Sequence, residues 1–552
     1  MKNKLLYLLL AAVVLVSQGC SKSELDVKNP NSPSPKDAMT EPGIKSLALG
    51  AIYQNGFAGV SDSRYTGSFL GSNYWFLAPA YHDLMADVVS AEAANNITNQ
   101  VGVPDYVILD DGTRITNTAP SRTVVRVNNS RTKAGLNMFY FEWAWMYFMN
   151  NSCNDVLSIV DSTSFTGDVV SKRNAIKAWC YFWKGYVYSH IGSIYYAGLI
   201  KDDYNTQLTT NNEYKSSADM ITASNANFDK AITALNNVPK AADFASIIGA
   251  IIPTQCQTGK GGVLTPAMWI HNINTMKARN ILVNKRLKDM VSADWNNILT
   301  LTANGITSSD LVLTGRSAAT NTFLSATGGS VAALTTGKPA STTYKISERL
   351  IQDYPAGDKR LANDFIIDPT YLNQKGGFTY STRYRLLDSG GITKTYTAAS
   401  ITSKLVGAYE LYLAGSYEEN ELMKAEANIK LGNSATGLAS VDAVRTYQDA
   451  ALPAVSGVIT DPALAYEELR KERRVGLIFR HLSLYDARRW GVLDDISAGG
   501  GRTNCVVVNS TTGVVNTKAT INYNFVDYWD VPDDETSLNP PSATSAPIKN
   551  PK

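Results

Sequence analysis

Glu419-Asn420-Glu421-Leu422-Met423-Lys424-Ala425-Glu426-Ala427-Asn428-Ile429-Lys430-Leu431-Gly432-Asn433 reads as one helix and its stop. The helix is expected from Glu418 to Leu431. Ala425 and Ala427 are small enough to let a second helix come close, and Gly432 can take the left-handed conformation that ends a helix. Downstream, Asp461 can cap a helix and Pro462 can take its first position, where a missing N–H costs nothing. That helix is predicted through Leu469, Arg473 and Leu477 towards Trp490. Upstream, three segments carry apolar residues every three or four positions. They are Phe139, Trp143, Met146, Met149, Cys153, Val156 and Val160; Ile176, Trp179, Cys180, Trp183 and Val187; and Ile221, Ser224, Phe228, Ile232 and Leu235, closed by Pro239. Such spacing buries one face of a helix.

Paired helices separated by loops point to a helical-repeat architecture, and the 419–433 stretch is similar to the first helix of a tetratricopeptide unit. No strict 34-residue period recurs. Strand signals are few. Tyr106–Asp110 and Thr113–Thr116 flank Asp111-Gly112 and read as a hairpin. Cys505–Val508 and Gly513–Asn516 suggest another. Residues 300–345 and 375–405 are rich in Thr, Ser and Gly without periodicity, as functional loops or short strands are.

At the N-terminus, Lys2 and Lys4 precede an uncharged run from Leu5 to Val16. A bilayer span needs roughly 20 apolar residues, so this shorter run reads as a secretory signal. Ser17-Gln18-Gly19-Cys20 ends it, placing Cys20 as a lipidated N-terminus after removal of residues 1–19. Residues 20–42, with Pro30, Pro33 and Pro35, are expected to form a tether or extended arm, followed by a helix from about Gly43 to Asn55. The whole chain has 51 basic and 49 acidic residues, and losing Lys2 and Lys4 brings the two into balance. A neutral mature chain offers no basic surface to nucleic acid. Cys153, Cys180, Cys256 and Cys505 form no Cys-x-x-Cys pair, and their disulfide state stays open.

Enzyme signals are poor, and a glycosidase pair stays open only in the sense that any two acids could meet in space. There is no His-Glu-x-x-His, Gly-x-Ser-x-Gly or phosphate-loop frame. No cofactor and no metal site is expected, and His190 reads as a packed or capping residue. The acidic run Asp533-Asp534-Glu535 reads as solvated or capping. Sugar binding has other requirements: flat rings against the C–H face, and amides, acids or guanidiniums against the hydroxyl rim. Asn73-Tyr74-Trp75, among loop signals with Tyr65 upstream and Asn95-Asn96 downstream, is the best local constellation for an exposed platform. Trp269, Trp295 and Tyr354 are weaker candidates.

Several separated features resemble the RagB/SusD nutrient-uptake lipoproteins. Cys20, Leu25-Asp26-Val27, Asn29-Pro30, Ser34-Pro35 and Ala51-Ile52-Tyr53 are similar to that family's opening. Tyr81-His82-Asp83-Leu84-Met85-Ala86-Asp87 resembles its early leucine–acid segment, and Glu421–Gly432 its late repeat helix. Glu472-Arg473-Arg474-Val475, Phe479, Tyr485-Asp486 and Arg488-Arg489-Trp490-Gly491 resemble its C-terminal motif. Val531-Pro532-Asp533-Asp534-Glu535 with Asn539-Pro540 resembles its closing turn. Departures stand at Gly476, where the family has Glu, at Arg480-His481, where it has Glu-Gly, and at Ser483, where it has Arg.

The resemblance implies a mainly α fold, with tetratricopeptide-like helix pairs packed against a loop-rich remainder with a few short β-hairpins. Length alone would suggest several domains; the resemblance implies one, over 43–552. It further implies a lipid-anchored protein facing outward on the outer membrane. There it would bind oligosaccharide and deliver it to a SusC-like TonB-dependent transporter, without enzymatic activity. The alternative is the same scaffold taking up peptide or protein ligands. The motif from Glu472 to Trp490 is expected to be structural, with Trp490 capping the core.

Overall fold

The computed structural model describes residues 38–54, 56–57, 74–92, 96–202, 211–318, 323–324, 329–373, 381–387 and 410–552. The signal, Cys20 and most of the arm lie outside these residues, as do Tyr65, Asn73 and Asn95. Helices dominate. The three periodic segments form Met138–Val160, Val169–Ile194 and Ser217–Asn236. The first packs on the second and the second on the third. Gly185 is needed at the latter crossing: a Cβ there would stand 2.6 Å from the Phe228 ring. With no side chain in the way, Ser224 donates to the Gly185 carbonyl at 2.7 Å.

The 419–433 stretch folds as read. Ser416 caps the helix Tyr417–Lys430. Gly432 turns left-handed at φ +89°, and the Asn433 N–H closes the end on the Asn428 carbonyl at 2.8 Å. A partner helix, Ser434–Tyr447, packs back on it. Ala427 and Met423 meet Ala278, Leu282, Trp295 and Ile298 in a small apolar cluster of their own. The main cluster is continuous from Ala38 to Val531. Trp269, Trp295 and Tyr354 belong to these cores at 0%, 5% and 8% exposure, so they offer no platform to a ligand.

Both expected hairpins form, and they join. Arg502–Val508 pairs with Val515–Asn522, which pairs with Tyr106–Ile108, which pairs with Arg114–Thr116, all antiparallel. The sheet thus ties the early chain to its end. The first helix runs from Glu41 to Tyr53, two residues earlier than read, because Thr40 accepts from the Gly43 N–H and Pro42 fits the first turn. The four described cysteines are buried and free. The Asp533–Glu535 run is a clasp: Asp533 accepts from Arg131, Asp534 from Asn137, and Glu535 from the Trp143 indole.

The helix predicted from Asp461 to Trp490 is two helices, Pro462–Gly476 and Ser483–Arg489. Phe479 and His481 take φ of +55° and +59°, which breaks the rise between them. A left-handed non-glycine residue costs roughly 1 kcal/mol or more. The motif residues turn inward. Arg489 grips Glu426 with two bonds of 2.6 Å and also reaches Asp486 at 2.8 Å. Arg473 takes the other Asp486 oxygen at 2.9 Å. Glu472 accepts from Arg360 and Arg445. All of these are buried. The missing Glu at 476 leaves this network closed, since Glu472 bridges both arginines while Asp358 takes Arg360 and Glu468 takes Arg445 as well. Trp490 is half-buried against the core, with the Arg470 and Arg489 guanidiniums 4.8 and 4.7 Å from its ring.

Candidate functional site

One aromatic cleft gathers residues from most of the chain. Its walls come from successive turns of separate helices: Trp75, Pro79 and His82; Tyr186, Ser189, His190 and Ser193; Arg279 and Val283. Residues three, four or seven apart share one helix face. Tyr412–Ala414, the break at Arg480–Leu482 and Tyr485 complete it.

Tyr74 and Trp75 are not the exposed loop platform expected of them. They begin the helix Tyr74–Met85 and are 2% and 3% exposed. The Trp75 ring packs among Phe57 and Tyr74, both at 5.0 Å, and Phe323 at 6.1 Å. The residues line the cleft from its core side. The loop reading failed because Pro79 and the clustered rings obscure the helical period of this segment.

Three of the four histidines in the chain line this cleft. His82 Nε2 and His190 Nδ1 hold the two oxygens of Glu142 at 2.6 and 2.8 Å. Burial would push the Glu142 carboxyl up, but the two imidazoles outweigh it and hold it at about 2. Burial pushes His190 down, partly offset by Glu142. His82 Nδ1 is buried and finds no partner among the described residues. Opposite, His481 Nδ1 meets Asp83 at 2.9 Å, and its ring lies 6.3 Å from that of Trp75. This left-handed position is where the resemblance has Gly. Arg480 stacks 3.6 Å over Tyr412 and reaches Glu418 at 3.7 Å. Arg279 is held by both oxygens of Glu419 at 2.5 Å. Burial raises the phenols of Tyr74, Tyr186, Tyr412 and Tyr485, so they stay neutral hydrogen-bonding groups.

The arrangement offers ring faces beside imidazole, guanidinium and hydroxyl groups. Glu142 is the one carboxylate among the lining residues, and the two carboxyl groups of glycoside hydrolysis are not brought together there. Among the described residues no group of three or more His, Cys, Asp or Glu could hold a metal ion. His190 was read as packed; its place on the cleft shows only when the helices converge. Arg480 and His481 stood out in the sequence as departures from the resemblance, and that was the usable signal for this site.

The Glu142 geometry carries a pH dependence. Its folded pKa lies below the ordinary 4.5, so the stability it contributes is present above about 4.5 and lost as pH falls towards 2. Glu426 and Asp87, also held at about 2 by arginines against the effect of burial, act in the same window. Urea unfolding midpoints are expected to begin a modest decline near pH 6.5, where the unfolded chain protonates His190 first, and to drop steeply from about 4.5 to 3. A flat profile across that window would remove the ionised Glu142 pair from the account.

By sequence the chain matches no family model and no curated protein. By structure it is similar to solved proteins along nearly its full length. A SusD-like carbohydrate binding protein from Bacteroides vulgatus aligns over 92% of this chain and 98% of its own, at TM-score 0.54 and 13% identity. A SusD-like carbohydrate binding protein from Bacteroides fragilis aligns over 84% and 97%, at 0.52 and 15%. B. fragilis NanU aligns over 95% and 100%, at 0.53 and 12%. The mainly α architecture with few short strands is therefore that of the SusD-like fold.

Proposed function

We propose that this protein is a RagB/SusD-type lipoprotein that binds oligosaccharide at the outer-membrane surface and passes it to a TonB-dependent transporter. The observation that carries the reading is the SusD-like fold along nearly the whole chain, shared with proteins described as carbohydrate binding. The cleft supports it. Tyr412 presents a partly exposed ring, and Arg480, His481 and His190 present polar groups of the kind a sugar rim engages, while the buried Trp75, Tyr186 and Tyr485 back the cleft from the core. Its chemistry favours binding over catalysis. Lipid attachment at Cys20 would supply the anchor. No described helix is long and apolar enough to cross a membrane.

The full chain, incubated with an oligosaccharide array beside a peptide library, is expected to retain glycans. Retention of peptides alone would replace the glycan reading with peptide uptake. In cells, Cys20→Ser is expected to leave the outer-membrane fraction. Wild-type levels of the variant there would contradict the anchor.

A further inference from the structure

A second pocket, sharing no residue with the aromatic cleft, opens between the helix Pro462–Gly476 and the start of the strand Arg502–Val508. It encloses about 950 Å³, mouth included, and its lining is mostly polar. Four cations face two carboxylates there: Arg349, Arg470, Lys471 and Arg502 against Asp353 and Glu467. The whole chain is nearly balanced, with a formal charge of +2. The pocket lining alone carries two more cations than carboxylates.

The carboxylates in reach are already engaged. Asp87 binds Arg349 at 2.9 and 2.7 Å, and Asp353 faces Arg474 at 2.8 Å behind the wall. Glu467 pairs with Arg470 at 3.2 Å. Arg502 and Lys471 remain. Neither side chain has a hydrogen bond or ion pair with any described residue, and the Arg502 Nε is buried without an acceptor. Three guanidiniums, those of Arg349, Arg474 and Arg502, thus share two acids, the buried Asp87 and the partly exposed Asp353. Burial opposes the Arg502 charge, and Tyr523, Asp353 and Asp87 together outweigh it, but none of them bonds its guanidinium, and an oxyanion would supply that acceptor. The repulsion is felt locally: burial, and then the charge of Arg502, push Arg474 down. The strand is irregular here. Its register shifts between Arg502 and Cys505, and Asn504 takes φ +53°, which leaves Thr503 and Asn504 on the pocket rim.

We propose that this pocket binds an oxyanion on Arg502 and Lys471. The group is a sulfate, phosphate or carboxylate, carried by an acidic saccharide or present as a free inorganic ion. The site is independent of the glycan reading of the cleft. Its test is calorimetric titration of the full chain with sodium sulfate and, separately, with glucose 6-sulfate and glucose. Ligands stay in the low millimolar range, so that sulfate does not act through general exclusion from the surface. The wild type is expected to bind sulfate, more weakly as sodium chloride is added. Arg502→Gln should weaken binding about tenfold or more, the scale of one charge-assisted contact. Lys471→Gln, at a half-exposed position that tolerates substitution, should weaken it several-fold. Lys277→Gln, at a surface lysine paired with Asp229, should bind as wild type. Glucose 6-sulfate binding more tightly than sulfate assigns the anion to a saccharide. Equal affinities assign it to the free ion, and either result supports the site. No binding of sulfate or glucose 6-sulfate, or equal binding by Lys471→Gln and wild type, overturns it.

Discussion

Replacing Arg489 by Met is expected to lower the stability of the protein by about 3–5 kcal/mol. Arg489 and Glu426 are both fully buried and joined by two bonds of 2.6 Å. Removing the guanidinium leaves Glu426 with the Tyr466 hydroxyl at 2.9 Å and with Arg473 at 4.0 Å. Neither is enough for a carboxylate kept from water. Burial would lift its pKa, and Arg489 is the largest influence holding it down at about 2. The cost belongs to the stranded charge rather than to the pair. Arg489→Met with Glu426→Leu should therefore recover part of the loss, as buried pairs often do when replaced whole. Urea denaturation of both single variants and the double variant reads this directly. A single-variant loss under about 1 kcal/mol would take the motif out of its structural role. So would normal stability with lost ligand binding.

Trp75→Ala is expected to cost about 3–5 kcal/mol as well, the range for emptying a buried indole site. The ring is 3% exposed and packed by Phe57, Tyr74 and Phe323. Its carbonyl also accepts from Val331 at 3.0 Å, so the helix start is tied across the chain. Thermal melts should show the loss before any ligand is added. A variant with unchanged melting and weakened glycan binding would restore the exposed platform that the sequence suggested.

What the sequence disclosed follows from which forces are local. A face such as Phe139, Trp143, Met146 and Met149 repeats with the helix period, and Gly432 marks its stop by its own backbone freedom. Those elements were legible. The break at Phe479 and His481 was not, because Phe479 disfavours a left-handed turn and a histidine only tolerates one, so the surrounding packing imposes it. Residues 300–345 lacked a period, and part of the described stretch is ordered by non-local pairing. Tyr344–Ile346, for example, pairs with Val89–Ala91. The cleft was legible least of all. Tyr74, Glu142, Tyr186, Arg279, Tyr412 and His481 lie on separate elements, and no spacing rule links them. The resemblance carried the fold across these gaps, and its departures at 480–481 pointed to the cleft without revealing its walls.

The central claim is that the aromatic cleft binds the captured sugar. Tyr412 is the ring to remove. It is half-buried, its hydroxyl has no partner among the described residues, and Arg480 lies over its face at 3.6 Å. Calorimetric titration of an oligosaccharide retained on the array, into wild type and Tyr412→Ala, is the direct measurement. The account predicts a loss on the order of 2 kcal/mol, the size of a binding hot spot, with melting lowered far less than in Trp75→Ala. Equal affinity in the two proteins would contradict it and place the sugar elsewhere on the molecule.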